Sequence, residues 1–147
     1  MHTENSIVMN APRSRIFEVA ANLSGWPEIL PHYRWVRYLK KSDQKSLVVM
    51  AARRGWIPIR WTSIQEIDRE HGQIRFHHVR AFTRGMDVVW TFEECNGGVR
   101  VRITHDMPPR NGNGGSFFAR EVIGRFFVSP VADLTLYHMK EYVENGN

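Results

Sequence analysis

Four stretches of this chain place histidine, arginine, glutamine and serine on the same side as bulky apolar residues, if each is a strand with alternating side chains. In residues 73–80, Ile74, Phe76, His78 and Arg80 share one face and Arg75, His77 and Val79 the other. In residues 57–68, Trp61, Ser63, Gln65 and Ile67 alternate with Thr62, Ile64 and Glu66. Met86, Val88, Trp90 and Phe92 form an apolar face in residues 86–93, and Val99, Val101, Ile103 and His105 form another in residues 99–105. Polar groups turned into an apolar interior must pair with one another or bind something. Adding Trp26, Tyr33 and Tyr137 gives an expected cavity lining of Trp26, Tyr33, Trp61, Ser63, Gln65, Phe76, His78, Arg80, Met86, Trp90, His105 and Tyr137. Flat aromatics and methionine suit a planar or flexible apolar ligand, with the polar members fixing its orientation.

Other chemistries fit poorly. His77 and His78 are strand neighbours that point to opposite faces, and no H-E-x-x-H, cysteine pair or EF-hand loop occurs, so no metal site is expected. There is no G-x-S-x-G elbow around Ser63 and no phosphate-cradling G-x-x-x-x-G-K sequence in the loop at 107–115. No cofactor is expected.

The elements that must hold these residues follow from spacing. Residues 6–9 read as a short strand that Asn10-Ala11-Pro12 stops. Ile16, Val19, Ala20 and Leu23 recur at helical spacing over 13–23, and Pro27 opens a second short helix that Pro31 ends. Six strands follow, at 35–40, 46–53, 57–68, 73–80, 86–93 and 99–105, separated by turn residues, of which Asn96-Gly97-Gly98 is the strongest hairpin signal. Closely spaced strands without intervening helices predict an antiparallel meander. The proline- and glycine-rich loop at 107–115 is expected to act as a lid. Residues 116–145 read as one long helix with an apolar face of Phe118, Val122, Phe126, Leu134, Tyr137 and Met139, kinked at Pro130.

A chain of 147 residues, 42% hydrophobic and 12% aromatic, predicts one domain over 1–147 with one core. Twenty Lys and Arg against 15 Asp and Glu give a net charge of +5, scattered rather than clustered. That excess fits a solvated surface, or an acidic partner such as an acyl carrier protein, ribosomal RNA or an anionic lipid surface. No signature for specific nucleic-acid readout is present. No apolar run is long enough to span a bilayer, no signal peptide is evident, and one cysteine, Cys95, fits a reducing cytoplasm. A soluble cytoplasmic protein, monomeric or homodimeric, is expected.

The order of elements resembles the START-like (Bet v 1-like, SRPBCC) superfamily, and within it the polyketide cyclase/dehydrase and coenzyme Q-binding branch. The matching segments are Trp26-Pro27-Glu28, Tyr33, W-T-S-I-Q from Trp61, H-H-V-R from His77, Val89-Trp90-Thr91-Phe92, and G-G-V-R-V-R-I-T-H-D-M from Gly97. The resemblance implies an α+β helix-grip fold: a curved antiparallel sheet, built from the N-terminal strand and the six-stranded meander, wrapped around the long C-terminal helix, with two short helices after the first strand. It also implies an apolar ligand (polyketide, quinone or lipid-like) and, by analogy with aromatase/cyclases, aldol cyclisation and dehydration of a carrier-bound poly-β-ketone. In that analogy Tyr33 takes the place of a proposed catalytic tyrosine and His78 that of a second cationic group. Gln65 replaces the arginine of the W-x-S-x-R pattern, and Arg80 is the residue that could substitute for it. A non-catalytic lipophilic-ligand carrier of the coenzyme Q-binding type, and a ribosome-associated toxin-like interaction protein, are the alternative implications.

Overall fold

In a computed structural model, residues 1–80, 83–108 and 121–145 are described. Strand β1 (His2–Met9) is followed by helix α1 (Arg13–Ala21), a single 3-10 turn at Leu23–Gly25 and helix α2 (Trp26–Ile29). The meander runs through β2 (Tyr33–Lys40), β3 (Lys45–Arg54), β4 (Ile57–Asp68), β5 (Gln73–His78), β6 (Asp87–Cys95) and β7 (Gly98–Asp106). A π-helical turn at Gly124–Val128 leads into α3 (Ser129–Glu144). The seven strands form one antiparallel sheet in the order β1-β7-β6-β5-β4-β3-β2. The helix-grip architecture is therefore present, with α1 and α2 carrying the chain from one sheet edge to the other.

Alternation sets which face is buried. Val88, Trp90 and Phe92 on β6 and Val99, Val101 and Ile103 on β7 are buried, as are Ile74, Phe76 and His78 on β5. Their neighbours Asp87, Glu93, Arg75 and His77 are exposed. The buried stripe of α3 is Val131, Ala132, Thr135, Leu136, Met139 and Val143. This phase differs from the expected apolar face: Met139 belongs to it, but Phe126, Leu134 and Tyr137 are exposed. Small residues, Ala132 and Thr135, are what let the helix approach a concave surface already crowded with aromatics. Phe118 and residues 109–115 of the expected lid lie outside the described residues.

Pro130 does not interrupt the helix. It stands in the first turn of α3, where a missing N–H costs little, and the π turn precedes it, with the Ser129 N–H bonded to the Gly124 carbonyl. Polar ties then fix α3 along β1. The Asn5 side-chain amide donates to Ser129 Oγ at 3.1 Å and to Asp133 Oδ1 at 2.8 Å, and Lys140 Nζ donates to the Val8 carbonyl at 2.8 Å.

The β6–β7 hairpin pairs Cys95 with Gly98 around Asn96-Gly97. Gly98 has φ +138°, and a Cβ built there would sit 2.2 Å from the Met9 carbonyl oxygen. Backbone conformation and close approach both demand glycine. Gly98→Ala is expected to cost about 3 kcal/mol of stability, read as a fall in the midpoint of chemical denaturation.

Candidate functional site

The concave side of the sheet and the buried stripe of α3 do not close completely on each other. Between them lies a cavity of about 70 Å³. Trp26 of α2, Tyr33, Met50, Ile59 and Trp61 line it from β2–β4 and α2, Phe76, His78, Val88, Trp90, Ile103 and His105 from β5–β7, and Phe127, Val128, Val131, Ala132 and Thr135 from the helical side. Thr83 and Met86, on the β5–β6 connection, complete the described wall. Of the twelve residues expected there, eight line it: Trp26, Tyr33, Trp61, Phe76, His78, Met86, Trp90 and His105.

The other four are placed differently, each for a local reason. Gln65 is buried but turns its amide to the Ala21 carbonyl at 3.1 Å, tying β4 to the end of α1. Ser63 is fully buried beside His78 in the β4–β5 register and is not among the lining residues. Arg80 is exposed, because β5 ends at His78 and the chain turns there, so alternation no longer applies. Tyr137 is 53% exposed on the outer face of α3, two residues past the inward Thr135.

An aromatic chain spans the cavity. Trp26 meets Tyr33 edge-on with centroids 5.1 Å apart, Tyr33 meets Trp61 at 5.8 Å, and Trp61 stacks nearly parallel on His78 at 6.0 Å. The Trp26 indole N–H donates to the Val19 carbonyl at 3.2 Å, which fixes one end of the chain to α1. Such contacts hold ring planes in defined orientations.

Two polar ends are built on this chain. At one, His32 Nε2 lies 2.8 Å from Thr135 Oγ1, and that hydroxyl donates to the Val131 carbonyl at 2.8 Å. With its proton committed, Thr135 accepts from His32, so His32 carries its proton on Nε2 and its buried Nδ1 is left without a partner among the described residues. Tyr33, the next residue, packs edge-on against the same imidazole at 4.9 Å. At the other end, His78 Nδ1 is 3.0 Å from Thr83 Oγ1, with His105 nearby on β7.

Burial decides the charge state of every one of these groups. It pushes His78 down to about 3, with the neighbouring His105 and His77 adding to the effect, and His105 down to about 4. It pushes His32 down to about 4, assisted by His138. The Tyr33 hydroxyl is raised well above its ordinary value by the same cause. At neutral pH the cavity therefore presents neutral imidazoles and a protonated phenol. No Asp, Glu, Lys or Arg stands among its described lining residues.

Sequence reasoning missed His32, Thr83 and Thr135. Thr135 was discoverable from the 131/132/135/136/139/143 spacing, which reads as a continuous stripe once size is discounted in favour of period. His32 sits in the turn ahead of β2, where neither period applies, and offered no signal.

A curved sheet gripping one long helix around an apolar, sparsely polar cavity is the START-like helix-grip fold. The chain belongs to the family described as polyketide cyclase / dehydrase and lipid transport, whose sequence model matches residues 9–129. It is 28% identical over 110 residues to a proposed polyketide cyclase of Streptomyces cyaneus, covering 72% of each chain. Against a second such protein, from Streptomyces halstedii, identity is 26% over 107 residues, covering 69% of this chain and 95% of that one. The fold is also that of the Zhui aromatase/cyclase from a Streptomyces species, with a TM-score of 0.84, 19% identity, and coverage of 99% and 94%. A STAR-related lipid transfer protein from Xanthomonas axonopodis shares it too, at a TM-score of 0.67 and 13% identity over 97% of this chain and 85% of that chain. Among the described residues, no helix is long and apolar enough to cross a membrane and no cluster of metal-ligating side chains forms.

Two outcomes follow from this geometry. Because His78 and His105 are held neutral, the unfolded chain binds protons near pH 6.5 that the folded chain refuses until about pH 3–4. Their stabilising contribution is complete above pH 6.5 and is lost as pH falls through that window, by about 2 kcal/mol each at pH 5. Denaturation midpoints between pH 7.5 and roughly pH 5 should show the loss, and His78→Gln should lessen it by the share of His78 while leaving that of His105. Gln65→Ala should lower stability by about 2 kcal/mol, from a buried carbonyl left unpaired, while leaving the affinity for a cavity ligand unchanged.

Proposed function

We propose that this protein is a polyketide cyclase that holds a poly-β-ketone chain, delivered on an acyl carrier protein, in the cavity and promotes aldol ring closure with loss of water. The observation that carries the proposal is the pairing of a protonated phenol, Tyr33, with neutral imidazoles, His78 and His105, on the walls of one apolar cavity. Family membership and the named relatives support it.

The chemistry needs one group to polarise a ketone and another to accept the proton released when its neighbour enolises. Tyr33 supplies the hydrogen bond to the ketone oxygen, and gives a proton to the alkoxide as the new carbon–carbon bond forms. Its raised pKa keeps the proton in place until that oxygen becomes basic. A neutral imidazole, His78 or His105, accepts the proton from the methylene between two carbonyls, the most acidic carbon in such a chain. Stabilisation of developing charge then rests on uncharged donors in a mostly apolar site, where they act more strongly than in water. Arg80 and Gln65, the positions suggested by the cyclase pattern, take no part in this mechanism, since neither lines the cavity.

A cavity of about 70 Å³ is well short of the several hundred cubic ångströms that ligand sites usually offer. Substrate entry must therefore move lining side chains, and Met50 and Met86, unbranched and adaptable, are the ones suited to it. The absence of any charged group among the described lining residues also suits a second reading, a carrier of a neutral lipophilic molecule without catalysis.

Incubation with a carrier-bound poly-β-ketone separates the two. Cyclised products should shift in favour of one ring pattern with the protein present, and Tyr33→Phe should slow that shift by about 10²–10³-fold with little change in thermal stability. An unchanged product distribution, with a lipophilic molecule retained in native mass spectrometry, would establish the carrier instead.

A further inference from the structure

The β3–β4 hairpin ends in a strip that folding does not explain. Gly55, at φ +60°, turns the chain, and Trp56 beside it is 87% exposed, more than any other large apolar side chain described. Residues 53–60 read Arg-Arg-Gly-Trp-Ile-Pro-Ile-Arg, and no Asp or Glu occurs anywhere in residues 45–65. Arg53 and Arg60 are exposed, on the convex face with Pro58 and Ala51 opposite them in the register. Arg54 turns the other way and lies over the Phe126 ring, 5.8 Å from its centroid. Phe126 is itself 53% exposed, and its neighbour Arg125 is also exposed.

Two elements thus bring Trp56, Phe126, Arg53, Arg54, Arg60 and Arg125 to one region of the molecule. The ion pairs formed by Lys and Arg side chains among the described residues involve none of these arginines. The strip also borders the cavity, since Ile59 of the same hairpin and Phe127 of the same helical turn both line it.

The chemistry of the strip limits its occupant. Its side chains offer apolar surface and cationic donors but no acceptor, since arginine and tryptophan only donate. A folded protein partner presents donors as well as acceptors, and no side chain of the strip would accept from those donors. An anionic bilayer surface presents phosphate acceptors and apolar matter at one depth, where tryptophan rings settle and long arginine stems lie along the interface. We propose that this strip docks the protein on an anionic lipid surface, with Trp56 and Phe126 among the headgroups and the four arginines on lipid phosphates. Docking in this orientation sets the cavity against the membrane, so that a lipophilic molecule passes between bilayer and cavity without crossing water. The proposal stands on the surface alone and holds whether or not the cavity catalyses.

Co-sedimentation of the full chain with vesicles tests it. Binding is expected to vesicles of phosphatidylcholine mixed with phosphatidylglycerol and not to phosphatidylcholine alone, and it should fall as salt is raised. Arg53→Glu with Arg54→Glu should weaken binding by at least tenfold, given about fivefold for each charge at such a surface. Trp56→Ala should weaken it similarly and remove the blue shift of tryptophan emission on binding, while Leu39→Ala, an exposed apolar residue elsewhere, should change nothing. Unaltered melting temperatures would show that the variants are folded. Equal binding to neutral vesicles, no binding, or variants that bind as the parent does would overturn the proposal. So would inert vesicles together with an acidic acyl carrier protein whose binding depends on Arg53 and Arg54, which would assign the strip to a protein partner.

Discussion

Everything in this molecule depends on one concave face doing two jobs. The inward side chains of β2–β7 must pack against the buried stripe of α3, and the same side chains line whatever space is left between them. A flat sheet would let the helix seat fully, whereas a curved one meets it along a line and leaves a gap where Ala132 and Thr135 face Tyr33, Trp61 and Trp90. The polar ties at Asn5 and Lys140 hold α3 to the edge strand β1, so the helix cannot slide inward to fill that gap. Cavity and core are built from the same face of the sheet.

The fold was legible because most of it rests on a period of two. Strands with one solvated face write that period into the sequence, and β6 and β7 carry it plainly. Errors came where the period stopped. Arg80 shares parity with His78, yet the strand ends between them and its side chain goes to solvent. Tyr137 drew attention by size, but on a helix phase decides burial, and the inward phase runs through a threonine and an alanine. Gln65 has the right parity and is buried, but parity cannot say whether an amide faces a cavity or the Ala21 carbonyl that it reaches. His32, in a turn, had no period to betray it.

The electrostatics of the site bear directly on what it can do. Buried His32, His78 and Tyr33 and half-buried His105 surround the cavity, and desolvation drives all four toward their uncharged forms. A cationic acid of the kind expected from a W-x-S-x-R pattern would stabilise an oxyanion by charge, at the cost of desolvating that charge when the site is empty. That cost does not arise among the described lining residues, none of which is charged. A carboxylate would find no counter-charge among the described lining residues, whereas a neutral carbonyl or hydroxyl would meet no such penalty.

Such neutrality constrains mechanism more than it constrains binding. A neutral imidazole with a pKa near 3 or 4 is a weak base in the empty site, so it can take a proton only from carbon already acidified by flanking carbonyls. As enolate charge develops beside it, that charge favours the imidazolium and raises the imidazole's basicity at the moment the proton moves. The same reciprocity applies to Tyr33, whose hydroxyl is a poor acid until an alkoxide forms within reach. On the proposed cyclase mechanism, the cavity would leave isolated ketones unchanged and act on 1,3-dicarbonyl chains, a selectivity set by burial rather than by a charged lining residue.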